Sequence, residues 1–166
     1  PAHYHEFRDI LLDQRFCPGG RIQAAIGSAK EVTAYNCFVS GTINDSYVAG
    51  GRGDGSIMDR AWDAAATLRL GGGIGYDFST LRPRGALVKK LMSQATGPVS
   101  FMHIFNAVCK NVASAGHRRG AQMGVLRIDH PDIMEFINAK HDQKTLADFN
   151  MSVAVAGMLD LADTFP

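Results

Sequence analysis

Residues 71–85 read Gly-Gly-Gly-Ile-Gly-Tyr-Asp-Phe-Ser-Thr-Leu-Arg-Pro-Arg-Gly, and the architecture is read outward from them. Upstream, Ile57, Ala61, Ala64, Ala65 and Leu68 make one apolar face at helical spacing, behind Ser56, a residue type that caps helix N-termini. The triple glycine stops that helix and leads into a short strand, Ile74 to Phe78. Downstream, residues 79–96 lack periodicity, are punctuated by Pro83 and Gly85, and read as a long loop. Gly97-Pro98 then opens a helix reaching about Ser114, with Phe101, Ile104, Phe105 and Val108 inward.

The same alternation extends to both ends. Residues 3–14 carry Phe7, Ile10 and Leu11 at helical spacing, and Pro18-Gly19-Gly20 breaks the chain. Residues 32–39 have strand composition, with Cys37 near the carboxyl end, and Gly50 to Gly55 reads as a flexible loop. A polar loop at 116–120 precedes an extended run, 122–128; Pro131 sits in the first turn of a helix through Lys140; 146–156 reads as strand, and a last helix starts near Met158. Strands alternating with helices predict an α/β fold with parallel strands and right-handed crossovers. Chemistry in such folds gathers at the carboxyl ends of strands, where this reading puts Cys37 and the loops at 79–96 and 116–120. There is no internal repeat. The chain divides into residues 1–30, an opening helix and turn, and residues 31–166, the alternating α/β unit.

Composition narrows the function classes. The 166 residues are 46% hydrophobic and 20% charged, with a formal net charge of +1, so the broad positive field of a nucleic-acid-binding protein is missing. Basic residues cluster locally instead, at Arg82, Arg84, Lys89 and Lys90 and at Arg118 and Arg119, which suits a small polyanion. Three cysteines without a C-x-x-C pattern argue against a disulfide scaffold and a structural zinc site, so no metal centre is expected. No apolar run approaches the roughly 20 residues of a membrane span. A cytoplasmic setting, with no membrane and no nucleic-acid partner, is the expectation. The chain begins without Met and reads as a fragment of something longer.

Two loops point to an anionic ligand. Leu81-Arg82-Pro83-Arg84-Gly85 carries two guanidinium groups on a proline-restricted loop, and His117-Arg118-Arg119-Gly120-Ala121 repeats the theme. A solvated surface loop is the bland reading of each; against it, the arginine fork matches phosphate oxygens. The triple glycine is a helix stop or a place where bare backbone admits a ligand. Arg52-Gly53-Asp54 is a coincidental match to an adhesion tripeptide. Lone cysteines in apolar elements are mostly small core residues, which suits Cys109; Cys37 is set apart by its strand-end position, and Cys17 lies in a turn. His130 serves the start of the helix after Pro131, since it lacks partners at metal-ligand spacing.

Together the blocks 32–46, 71–85, 97–102, 116–123, and 130–140 with 149–153 resemble, in order, the large subunit of ribonucleotide reductases, with wording most similar to the adenosylcobalamin-dependent class. The resemblance implies the first half of a ten-stranded α/β barrel. It implies that Cys37 is one of two cysteines oxidised as the ribose 2′-hydroxyl is lost, and that Asn36, Cys17 and Gly19 line the ribonucleotide substrate. It implies that loops 79–90 and 114–123 bind an allosteric deoxynucleoside triphosphate or ATP, through Arg82, Arg84, His117, Arg118, Arg119 and Gln122, with Asp45 also touching it. Adenosylcobalamin, the thiyl-radical cysteine and the second redox cysteine are expected elsewhere in the enzyme, so this chain alone is expected to be inactive. The implied partners are the rest of the barrel or a second polypeptide, a second copy through the effector site, and thioredoxin or glutaredoxin. The rival reading is a non-catalytic nucleotide-binding or assembly module. A half-barrel leaves a sheet edge and an apolar face uncovered, which predicts aggregation or tight association.

Overall fold

The structure is a computed structural model and describes residues 2–112, 120–141 and 145–155. In chain order it contains α1 (Tyr4–Leu12), α2 (Gly20–Ala25), β1 (Cys37–Val39), α3 (Ile57–Arg69), β2 (Gly73–Asp77), β3 (Leu87–Val88), β4 (Ser93–Gln94), α4 (Pro98–Asn111), β5 (Gln122–Arg127), α5 (Ile133–Asn138) and β6 (Phe149–Ala154). Four strands make one parallel sheet in the order β1-β2-β5-β6, and β3 pairs antiparallel with β4. The expected parallel α/β alternation is therefore present. The expected final helix near Met158 lies outside the described residues.

Helix α3 forms as its sequence dictates. Ser56 Oγ accepts from the Asp59 backbone N–H, capping the helix, and Ile57, Ala61, Ala64 and Leu68 are buried. Gly71 ends it in the left-handed region, at φ +79°. A Cβ on Gly72 would stand 2.7 Å from the Phe38 ring, and one on Gly73 3.2 Å from the Ala121 carbonyl oxygen. The close approach at the triple glycine is thus made by the protein's own neighbours.

Helix α4 packs beside α3 with Val99, Met102, Phe105 and Cys109 buried, and the expected Phe101, Ile104 and Val108 flank that stripe, partly buried. The core is aromatic. The Phe105 ring lies 4.6 Å from Tyr76 and 5.5 Å from Phe78 between centroids, and Phe149 closes the cluster 6.1 Å from Tyr76.

Several expectations are corrected. Strand β1 covers only Cys37–Val39, so Cys37 opens the strand at its amino end instead of closing it at the carboxyl end. The reason is pairing: the ladder to β2 starts where the Gly73 N–H meets the Asn36 carbonyl, and residues 32–35 have no strand partner. The 79–96 segment is not simply a loop, because β3 and β4 fold into a short hairpin. Pro131 precedes α5, which starts at Ile133. Leu146 has φ +51° and β6 begins only at Phe149. Helix α2, unanticipated, follows the Pro18-Gly19-Gly20 break.

Candidate functional site

A cleft of about 1140 Å³ opens where the segments following β1 and β2 meet, at the carboxyl ends of those strands. One wall is the 45–49 stretch after β1; the other is Arg82 and the hairpin β3–β4, with Phe101 of α4 also lining it. Three cations, Arg82, Lys89 and Lys90, line it against the single carboxylate of Asp45. Tyr47 and Phe101 bring their rings to 6.2 Å between centroids on the same lining. A positive, half-open cleft with an aromatic pair suits a ligand with phosphates and a flat base.

Arg82 and Asp45, both expected at a ligand site, meet directly. The Arg82 Nε donates to Asp45 Oδ2 at 2.5 Å, and its Nη1 donates to the Leu87 carbonyl at 3.3 Å, which ties the guanidinium to the hairpin. Arg84, expected beside it, is engaged elsewhere. Its guanidinium forms a bidentate pair with Glu135 of α5, with Nε to Oε2 at 2.9 Å, and its backbone N–H donates to Asp132 Oδ2 at 2.7 Å. Glu135 holds the Arg84 guanidinium protonated above its ordinary value, and Arg84 is not part of the cleft lining.

The 50–55 segment, read as flexible, is tightly bonded to the start of α3. Asp54 accepts from the backbone N–H groups of Ala49, Gly51 and Ser56, and Asp59 from those of Gly53 and Gly55. Arg52 pairs with Asp59 and with Asp63, and its guanidinium stacks 3.6 Å over the Trp62 ring. Hydrogen bonds from Ser56 hold the Asp54 carboxyl well below the usual carboxylate range, and those from Gly53, then Gly55, lower Asp59. The Arg52-Gly53-Asp54 tripeptide is thus a clasp folded against α3, and it braces the cleft's first wall.

The amino ends of the strands present a different surface. Cys37 is exposed, as are Tyr35 and Val39 around it. Asn36 gives its carbonyl to the Gly73 N–H at 2.8 Å, and the Ile74 N–H donates to the Ala121 carbonyl at 3.1 Å. Asn36, Cys37 and the lead-in to β5 therefore converge at Gly73. The Cys17–Gly19 turn is organised by Gln23, whose Nε2 donates to the Pro18 carbonyl at 2.6 Å and to Cys17 Sγ at 3.2 Å.

Residues 35–159 match the family described as "Ribonucleotide reductase, barrel domain". The chain belongs to this family. It is 45% identical over 156 residues to a vitamin B12-dependent ribonucleoside-diphosphate reductase of Thermoplasma acidophilum, covering 93% of this chain and 19% of that relative. A protein of the same description from Mycobacterium tuberculosis is 45% identical over 150 residues, covering 90% and 20%. The chain thus spans about a fifth of the length of these curated relatives. Among solved structures, the Actinobacillus ureae class Id ribonucleotide reductase alpha subunit superposes with a TM-score of 0.66 at 23% identity, over 89% of this chain and 25% of that one, and shows the fold.

Within this reductase barrel segment, Gln122 is corrected from a ligand-facing residue to a core one. It is buried, accepts from the Tyr76 hydroxyl at 2.8 Å and donates to the Phe105 carbonyl at 3.2 Å. Side chains at strand starts alternate, and Gln122 takes the inward position. His117, Arg118 and Arg119 lie outside the described residues. Sequence reading missed Tyr47 and Phe101 as site residues, and it placed Lys89 and Lys90 in a basic cluster of the 79–90 loop without naming them as ligand contacts. What gathers them is the hairpin, which brings residues 87–96 to the same cleft as the 45–49 stretch and leaves no alternation in the sequence to read.

Proposed function

We propose that this chain is the part of a ribonucleotide reductase that binds a regulatory nucleoside triphosphate in the 1140 Å³ cleft and presents Cys37 to the ribonucleotide substrate. The observation that carries the reading is the cleft itself: Arg82, Lys89 and Lys90 for phosphates, and the Tyr47–Phe101 pair for a base. The relatives, vitamin B12-dependent ribonucleoside-diphosphate reductases, support the reaction class. Three of the five guanidinium N–H groups of Arg82 are engaged by Asp45 and Leu87, which leaves two to donate to a ligand.

At the amino ends, exposed Cys37 is the thiol available for reduction, with Asn36 beside it and the Cys17–Gly19 turn as a further substrate contact. In the overall reaction the ribose 2′ C–O bond breaks and a C–H bond forms in its place, the hydroxyl leaves as water, and two thiols become one disulfide, which an external dithiol such as thioredoxin or glutaredoxin restores to two thiols. Cys37 supplies one thiol; the second belongs to other parts of the reductase. Adenosylcobalamin supplies radical chemistry when bound, but the described residues do not fit it. The cleft lining is charged and holds no histidine, and His130, the buried histidine among the described residues, has both ring nitrogens in hydrogen bonds, so no buried or cleft-lining imidazole is free to ligate cobalt. The corrinoid is assigned to other parts of the enzyme, and no step is derived through it. The open edge of β1 and the exposed apolar faces of α1 and α2 are where the remaining barrel docks.

The test is made in the full-length reductase carrying this segment. Cys37→Ser is expected to abolish multiple turnovers while nucleotide binding persists. Arg82→Ala is expected to weaken all four deoxynucleoside triphosphates in parallel, roughly tenfold or more for a charge-assisted contact. Retained steady-state turnover in the first variant, or unchanged binding in the second, refutes the corresponding assignment.

A further inference from the structure

The segment that carries Arg82 is held by residues that follow the carboxyl end of β5 and do not line the cleft. His130 is buried; its Nε2 lies 2.9 Å from the Leu81 carbonyl oxygen, and its Nδ1 accepts from the Asp132 N–H at 3.1 Å. Only the neutral ring with its proton on Nε2 makes both bonds. Asp132 Oδ2 accepts from the Arg84 N–H at 2.7 Å, and Glu135 takes the Arg84 guanidinium. The two residues flanking Arg82-Pro83, Leu81 and Arg84, are therefore both gripped by one short stretch, 130–135, which runs from the loop after β5 into the first turn of α5. The hairpin base joins the same point, because the Gly85 N–H donates to the Ala95 carbonyl at 2.9 Å and the Ala95 N–H to the Ala86 carbonyl at 2.8 Å. So does the start of α4: a Cβ on Gly97 would stand 2.7 Å from the Asp132 carboxylate and 3.1 Å from Arg84 Cβ, and Gly97 has φ +83°.

We propose that His130, Asp132, Glu135 and Arg84 form a latch that positions Arg82 and the β3–β4 hairpin, so that they set nucleotide affinity without touching the nucleotide. This rests on the reading of the cleft as a nucleotide site. It assigns Arg84 a bracing role in place of a phosphate contact, and it makes the HPDxxE stretch 130–135 a set of positioning residues. Because β5 carries this stretch at its carboxyl end and leads in from Ala121 at its amino end, the latch also ties the cleft to the strand whose start adjoins Asn36 and Cys37.

The experiment compares Arg84→Gln, Glu135→Gln, the double variant and the charge swap Arg84→Glu/Glu135→Arg in the full-length reductase. Each single change is expected to raise the dissociation constants of all four deoxynucleoside triphosphates by about threefold to fivefold, the scale of a partly exposed ion pair. The double variant is expected to be no worse than either single one, and the swap to restore affinity, since the pair acts as one unit. Additive losses without rescue by the swap overturn the proposal and return Arg84 to the phosphate. Amide hydrogen exchange in the absence of nucleotide reads the latch independently: residues 84–95 are expected to exchange faster in Glu135→Gln and Asp132→Ala. Faster exchange with no nucleotide binding in the parent protein would preserve the latch and defeat only the cleft reading. Unchanged exchange in both variants defeats the latch.

Discussion

The two ends of the sheet differ in how far they are finished. At the carboxyl ends, each segment that meets the cleft is tied down: 45–56 by Asp54, Asp59 and Arg52, and 81–97 by Asp45, His130, Asp132 and Glu135. At the amino ends, Cys37 opens an edge strand that has no buried residue, and α1 and α2 bury none either. Both regions are rich in apolar side chains, so composition does not separate them. The difference is in partners. The cleft is assembled from local segments and closes on itself, whereas the Cys37 end leaves the apolar side chains of α1, α2 and β1 exposed.

Cysteine chemistry gives the largest expected contrast between the two. Cys37 and Cys17 are exposed, while burial pushes the Cys109 thiol up and the nearby Asp148 carboxylate pushes it further. Alkylation of the folded chain is expected to consume Cys17 and Cys37 while Cys109 reacts about a thousandfold more slowly, limited by opening of the core. Comparable labelling rates at all three positions, read by mass spectrometry, would show that the core between α3 and α4 is not closed.

Core truncation sharpens the same boundary. Phe105 is fully buried among Tyr76, Phe78 and Met102, so Phe105→Ala is expected to cost about 3–5 kcal/mol. Phe7 of α1 is 61% exposed, and Phe7→Ala is expected to cost within about 0.5 kcal/mol in the same chain. Urea unfolding midpoints decide it. A large loss at Phe7 would mean that α1 is packed after all. Between these lies the helix cap: Ser56→Ala removes the acceptor for the Asp59 N–H and is expected to cost about 1 kcal/mol, measurable by the same titration.

How much of this was legible in the sequence follows the same division. Where periodicity and caps act locally, reading succeeded: Ser56 starts α3, Gly71 ends it, and Gly97-Pro98 begins α4. It failed where pairing partners decide. Residues 32–35 have strand composition, yet no strand pairs with them and Thr33 bonds instead to the Leu70 carbonyl, so β1 starts at Cys37 and the cysteine moves to the other end of the sheet. The hairpin in 79–96 was missed because two-residue strands leave no alternation to count. For the site, charge type was legible and charge partner was not. Arg82 and Arg84 look equivalent in Leu81-Arg82-Pro83-Arg84-Gly85, but one faces Asp45 in the cleft and the other Glu135 on α5. Gln122 reads as a polar ligand contact until Tyr76 and Phe105, distant in sequence, take both ends of its amide.

The smallest expected effect concerns pH and the clasp that braces the cleft. Hydrogen bonds from Ser56, and from Gly53 with Gly55, lower the Asp54 and Asp59 carboxyls from their ordinary value of 3.8 in the folded chain. A carboxyl lowered on folding binds more protons unfolded than folded in that range, so stability rises with pH there. The clasp's contribution is therefore complete above about 3.8 and is lost as the pH falls through the lower folded values. Asp54→Asn and Asp59→Asn lack the titrating group. The stability gap between the parent chain and either variant, taken from urea midpoints, is thus expected to hold steady through neutral pH and to narrow below about 3.8. A gap that persists unchanged into that acid range would mean that the two carboxylates contribute shape alone, and that the closed end of the molecule is held by packing instead of by charge.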